Sequence, residues 1–455
     1  MQATSAVRVK IEGGGHGAVG LVGLHVLAAF SDRLGLPGAL AAAVPWAGER
    51  APVHDRGKVL THAMLMLAGG GNTCADIEHL RVEDRLFGSV ASDSTTYRTF
   101  RDITDEVRAD LHDAFATVRR GVWGRSSATS AGLVVLDIDA SLVQVHSENK
   151  AGTAASYKGG FGFHPMFCFA DATGEALASV LRPGNAAANS IADHLTVLDA
   201  AIAQLPDEVS AGHRPGDDPG LVERPVMVRA DSAGCTNGFI AGCAARNVGF
   251  AVVARRNSRI HAALLATLVD DDAWHPAVTQ TGDPRRGAAV IELTDRVDLA
   301  GWPAGTRLIV RREPLHPGAQ RSLLESETYR YWGHYTDQAG TPVALDTTMR
   351  AHARVEDHIR RLKASGLERF PFTDLAANQA WLQTVAHAAD LVRWFQLLCV
   401  TGPLAAAEPK TLRWRLWHTP ARVIRKSRTD VIRLLDGWPD TNTILNAYQH
   451  INAIT

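Results

Sequence analysis

The stretch "VVLDIDASLV", residues 134–143, is aliphatic and β-branched except for two carboxylates, Asp137 and Asp139. Side chains alternate across a strand, so residues two apart face the same way. A carboxylate taken out of water is costly unless it is paired, hydrogen-bonded or bound to a metal. Either this run is not a strand, with its aspartates capping a turn, or something cationic lies beside it. Two further acids stand out by context. Asp231 closes the apolar run of "VMVRADSAG", and Glu356 sits in the charged helical run "ARVEDHIRRLK". Carboxylates at strand ends, with one more on a packed helix, can converge on hard, oxygen-seeking ions such as Mg2+. Two such ions about 3.5–4 Å apart activate an attacking water or hydroxyl and stabilise the leaving oxygen of a phosphodiester.

Positioning three acids in this way requires a sheet and a helix. From Leu133 onward the residue pattern supplies both, in the order β-β-β-α-β-α-β, which fits a mixed sheet with helices packed on it. The strands are "LVVLDIDASLVQVH", two around the turn "DATGE", "PVMVRADSAG" and "GFAVVARR"; "SIADHLTVLDAAIAQL" is a Ser-capped helix. Residues 256–345 interrupt this order with alternating runs such as "TRLIVRRE" and "ETYRYWGHYT", a β-rich insertion. The helix bearing Glu356 and a long apolar-periodic helix over 375–400 follow. Before the sheet, residues 19–125 read mostly as helices, and "GRSSATSAG" (124–132) reads as a linker. The expected organisation is therefore 1–125 helical, 126–255 and 346–400 two parts of one α+β core, 256–345 the insertion, and 401–455 a basic helical C-terminus.

The bulk numbers narrow the function classes. A chain of 455 residues with 46% hydrophobic and 21% charged content has an ordinary globular composition. Its formal net charge of −1 rules out a uniformly basic coat, so any contact with nucleic acid comes from local patches. The five cysteines are scattered without a CxxC, which suits a reduced, cytoplasmic protein with buried thiols. The start "MQATSAVRVKIEGGG" has no apolar signal-peptide region, and no run of about 18 uncharged apolar residues occurs. "GHGAVG" (15–20) formally matches a dinucleotide fingerprint, but no strand with a terminal acid follows about 20 residues later, so a flexible lead-in to the first helix is expected.

Taken together, these motifs resemble the DDE transposases with an RNase H-like catalytic core. The order strand–Asp, strand–Asp, β insertion, helix–Glu is similar to the hairpin-forming insertion-sequence transposases. The wordings "LDIDASLV", "YKGGFGFHP", "LRPGNAAANSIADH", "VRADSAG" and "HARVEDHIRRLK" resemble the insertion-sequence group numbered thirteen-eighty. The resemblance runs from about Leu133 to Phe372, with "RLFGSVASDSTTYR" nearer the N-terminus. It implies Asp139, Asp231 and Glu356 as catalytic metal ligands for two Mg2+ ions, with Mn2+ able to substitute. Asp137 is then a supporting partner or a tuner of metal affinity. The family's Tyr-x2-Arg-x3-Glu-x6-Lys signature is half kept: Glu356 and Lys363 fit, while Met349 and His352 stand at the tyrosine and arginine positions. Lys363 is implied as a contact to a DNA phosphate, with Arg360 between it and Glu356 on one helix face. His352, Arg350 or Arg354 stands in for the missing arginine.

Further DNA contacts are expected from Tyr157 and Lys158 in "YKGGFGFHP", from Arg98 and Arg101 on a capped helix, and from Arg413, Arg415, Arg425 and Lys426 in a basic C-terminal run. Such contacts supply affinity and salt dependence, not sequence choice. A solvated basic face is the plain alternative for both helices. Among the insertion's aromatics, Trp332 is the candidate for stacking on a DNA base, and cross-strand packing accounts for the others. The expected protein cuts double-stranded DNA at the terminal inverted repeats of its own element and joins the ends to target DNA. It works as a homodimer in the cytoplasm, on the nucleoid and away from membranes. A DNA-binding relic and a nuclease of the same fold that does not join ends are the alternatives.

Overall fold

The run around Asp137 is a strand, β1 (Val134–Ala140), inside a nine-stranded mixed sheet. The computed structural model describes residues 16–454 apart from 47, 131, 157, 256–257, 266–270 and 316–328. After β1 come β2 (Met166–Ala170), β3 (Ala176–Val180), β4 (Val226–Ala230) and β5 (Gly249–Val253), then β6 (His275–Val278), β7 (Pro284–Glu292), β8 (Arg307–Pro314) and β9 (Tyr329–Thr336). Their order across the sheet is β6-β7-β8-β9-β5-β4-β1-β2-β3. β1, β4 and β5 run parallel, and every other pairing is antiparallel. The strands of the 256–345 insertion therefore continue the core sheet, joined where His334 of β9 pairs with Val253 of β5.

The helices include α1 (Val22–Arg33), α2 (Leu36–Ala43), α3 (Arg56–Ala68), α4 (Asp93–Arg101), α5 (Asp105–Trp123), α6 (Ile191–Ala203) and α7 (Asn237–Ala244). They are followed by α8 (Pro342–Arg350), α9 (Arg354–Leu362), α10 (Leu375–Cys399) and α11 (Thr441–Ala453). Several start as the sequence dictates: Ser92, Thr104, Ser190 and Thr341 each accept an N–H of the first turn of α4, α5, α6 and α8.

Alternation along β1 separates two cores. Leu136 and Ile138 pack with Val197 and Leu198 of α6 and Phe239 of α7. The opposite face presents Asp137 and Asp139, in register with Phe169 and Phe167 of β2. Those phenylalanines belong to a core shared by α1–α5, α9 and α10. The N-terminal helices are thus packed into the body of the molecule. Arg119 of α5, fully buried, donates to Glu175 (2.8 Å), Gln204 and Asp390 of α10. Trp123 and Trp394 add indole N–H bonds to Glu175 at 2.8 and 2.6 Å.

Two expectations are corrected. The basic C-terminal run is not one helix: Pro409–Leu412 and Arg413–Trp417 form a short helix and a π-turn. A hairpin of β10 (Ala421–Lys426) and β11 (Thr429–Leu434) follows, and then α11. Val423, Ile432 and Leu434 alternate inward against the core, which is a strand period rather than a helical one. From His16 on, the lead-in expected at "GHGAVG" is also structured, since Ala18–Val19 pairs with β10. Gly17, at φ +73°, makes this possible; a Cβ there would lie 2.7 Å from the Val423 carbonyl oxygen. No single helix among the described residues is long and apolar enough to cross a membrane.

Candidate active site

Two strands place two acids side by side. β1 and β4 are parallel neighbours with Ile138 opposite Ala230, so Asp139 and Asp231 leave the same carboxyl edge of the sheet together. Such edges are where open α/β sheets bind their ligands. The Asp139 carboxylate accepts the Ala140 N–H at 2.7 Å, and that of Asp231 accepts the Ala233 N–H at 2.8 Å. Glu356 is exposed in the first turn of α9, the helix that buries Val355, Ile359 and Leu362 on the aspartate side of the sheet. Burial pushes the Asp139 carboxyl up to about 6, and the charges of Asp231 and Glu356 add to that rise against the Ala140 hydrogen bond and His352. Asp139 therefore lies within the field of both Asp231 and Glu356.

Two positions back along the same strands, the other aspartate of β1 meets a cation. Asp137 lies opposite Arg229 of β4, fully buried. Arg229 grips it in a fork, Nε to Oδ1 at 2.8 Å and Nη2 to Oδ2 at 2.6 Å. His352 donates from Nδ1 to the same Oδ1 at 2.7 Å. Burial alone would raise the Asp137 pKa, but the bonds from His352 and Arg229 outweigh it and hold the carboxyl below its usual range. Arg229 also donates to the Thr348 carbonyl of α8 at 2.7 Å and pairs with Asp171 at 2.8 Å, and Arg354 reaches Asp171 at 3.1 Å. Asp137 and Arg229 thus tether the turn Ala351–Ala353, and with it the start of α9, to the middle of the sheet. Arg229 escaped the sequence reading. Its signal was present: "LDID" and "VRAD" each place a charged residue two before the acid, in adjacent strands. Two buried histidines, His164 and His194, also feel Asp231; burial lowers both pKa values and the Asp231 charge opposes it.

The remaining expected contacts differ in their placement. His352 is corrected: it is buried on Asp137 and does not face DNA. Arg350 is tied to Asp346 at 2.9 Å and to the Val278 carbonyl, Arg413 to the Ala364 carbonyl, and Arg415 to Asp440 through two 2.7 Å bonds. Exposed and at the surface are Arg354, Arg360, which pairs with Asp357 and Glu408, Arg98, Arg101, Arg425, Lys426 and Lys158. Lys363 follows α9 directly, partly buried, seven residues beyond Glu356. Tyr157 lies outside the described residues. In the insertion, Trp274 packs on Tyr331 and Trp302 on Tyr335, while Trp332, opposite Arg311, is 42% exposed.

The donor set suits a hard divalent cation. It consists of carboxylate oxygens alone, and their mutual repulsion is what such an ion neutralises. With the side chains as they stand, no three acids or histidines among the described residues share one metal position. The family described as "Transposase DDE domain group 1" matches residues 1–455. The chain belongs to this DDE transposase family. Among curated proteins none matches the transposase. Among solved structures it is similar to a piggyBac transposase in a synaptic complex with hairpin DNA, at 10% identity, with 87% of this chain and 78% of that chain covered and a TM-score of 0.40.

Proposed function

We propose that this DDE transposase cuts double-stranded DNA at the terminal inverted repeats of its own insertion sequence and transfers the freed 3′ ends to target DNA. The reading includes an RNase H-like core and membership of the insertion-sequence group numbered thirteen-eighty. The observation that supports it is the register of β1 and β4, from which Asp139 and Asp231 leave one sheet edge together, with the turn before the Glu356 helix tied to β1 through the His352–Asp137 contact. Asp139, Asp231 and Glu356 would hold the divalent ions, Mg2+ or Mn2+. Bound there, such ions supply Lewis-acid activation of water and of the departing oxygen. The chain itself supplies the position: the Arg229–Asp137 fork fixes the height of α9 over the strands, and Lys363 and Arg360 present cations along the same helix face for the phosphates next to the cut. Two copies act together, one on each end.

The test uses duplexes carrying the gene's own genomic flanks, with Mg2+ or with EDTA, and compares the wild type with Glu356→Gln. Metal-dependent breaks at matched inverted repeats, absent in the variant, are expected. Cutting without joining indicates a nuclease, and specific binding without cutting by either protein indicates a relic. Equal cutting by both proteins would mean that Glu356 is not the third acid.

A further inference from the structure

The β10–β11 hairpin carries an arrangement of charge that its own fold does not explain. Its inward face is Ala421, Val423, Ile432 and Leu434, packed on the core. Its outward face pairs Arg422 with Arg433, Ile424 with Val431, and Lys426 with Thr429. Like charges directly opposite one another across a strand pair destabilise it. The hairpin's one acid, Asp430, lies on the other face with Arg425, 3.1 Å away. Arg422, Arg433, Lys426 and Arg428 are all exposed, and none has an anionic partner among the described residues.

The tip repeats the pattern. Ser427 and Arg428 form the two-residue turn with φ of +47° and +72°. Both central residues of such a turn favour Gly, Asn or Asp, because a Cβ is strained there. An arginine in that position keeps a cation at the end of the ribbon against the preference of the backbone.

We propose that the hairpin 421–434 is a DNA-binding ribbon that lays Arg422, Arg433, Lys426 and Arg428 on the phosphates of a duplex. The dimensions agree. Arg422 and Lys426 are four residues apart, about 13 Å along a strand, which is roughly four base-pair rises of about 3.4 Å. Past its base, where Ala18–Val19 pairs with Arg422 and Ala421, the ribbon is two-stranded, and such a ribbon fits a major groove about 12 Å wide. Ile424 and Val431, between the two cationic rows, are placed against sugars and thymine methyl groups. The inference rests on the DNA-handling reading above and can fail separately from it.

The experiment measures binding of the full chain to a labelled duplex of its own flanks, and to a scrambled duplex, across about 50–200 mM salt. Arg422→Ser/Arg433→Ser removes two phosphate contacts. It should lower the slope of log K against log salt by about 1.8, weaken both duplexes alike, and leave Tm equal or raised because a like-charge pair is gone. Arg428→Gly should lower the slope by about 0.9 and raise Tm. A structural role for these arginines predicts a fall in Tm instead, and that result overturns the proposal. So does an unchanged slope in a chain that binds duplex, including the case in which self-association is lost and the face belongs to a second copy. A wild type that binds no duplex removes this inference and the transposase function together. Duplex binding that depends on the hairpin, without metal-dependent cutting, keeps this inference and removes only the function.

Discussion

Replacing Asp137 by asparagine tests how α9 is held over the sheet. The carboxylate accepts from Arg229 Nε and His352 Nδ1 on one oxygen and from Arg229 Nη2 on the other. An asparagine amide has one acceptor end, so in either orientation its NH2 meets an Arg229 N–H. The change also leaves the buried Arg229 charge compensated by Asp171 alone, which is partly exposed. Breaking a buried pair in this way costs about 3–5 kcal/mol. For 455 residues melting as one unit, at about 2.1 cal/mol/K of unfolding entropy per residue, Tm falls by about 3–5 °C. Cleavage should fall further than stability, because about 1 Å of displacement of a catalytic group costs roughly 10²-fold. Scanning calorimetry reads the first effect, and cutting of flank duplexes at a temperature where the variant stays folded reads the second. Asp137→Leu/Arg229→Met, which removes both charges, should recover part of the stability. An unchanged Tm with unchanged cutting refutes the tether. An unchanged Tm with cutting that needs far more metal means that Asp137 acts on the ion and not on the helix.

Two other expectations follow from the packing. Asp390 is fully buried, and its carboxyl is pushed up to about 7 by burial first and by Glu175, with Arg119 opposing. The folded state keeps a proton that the unfolded chain releases above about pH 4, so this group's contribution to stability falls as pH rises to about 7 and is then level. Asp390→Asn imitates the protonated form and should gain stability relative to the wild type over that window, as read from urea midpoints between about pH 4 and pH 8; a constant difference rejects the assignment. Gly23 in α1 lies against the C-terminal π-turn, where an added Cβ would come within 2.0 Å of the Leu416 carbonyl oxygen. Gly23→Ala therefore forces backbone apart and should cost about 1–3 kcal/mol; a stability equal to the wild type in denaturant unfolding contradicts this contact.

The two aspartates of the site were legible because each breaks a local rule, a charge in an aliphatic strand or an acid closing an apolar run, whereas Glu356, one acid on a charged helix, stood out only by its place in the order of elements and the resemblance. Their convergence was harder to read, since it depends on β1 and β4 pairing across about 90 residues with no local signature for the register. Arg229 was missed because an arginine alone in a strand looks like an edge residue until its neighbour is known. The same limit hid the joining of β9 to β5, which turns an apparent insertion into an extension of one sheet. At the C-terminus the density of cations drew attention to a basic helix, because neither "RVIRK" nor "DVIRL" alternates polar with apolar residues as a half-buried strand does. The hairpin signal was absent because the turn is Ser-Arg, not one of the Gly- or Asn-containing pairs. His352 was assigned to DNA because it occupies the place of a family arginine, and only the buried Asp137 beside it gives it another task.

The knot around Arg119 also has a consequence for synthesis. Its guanidinium and the Asp390 carboxylate are 271 residues apart in the chain. At about 5–20 residues per second, roughly 15–55 s pass between the emergence of one and of the other. Through that interval α5 carries an arginine meant for a dry site, and α1–α4 lack the long helix that closes over them. The first third of the chain leaves the ribosome unable to finish its own interior, and it is then most open to chaperones and proteases. Completion waits for α10, so a chain truncated before residue 390 would remain in that state.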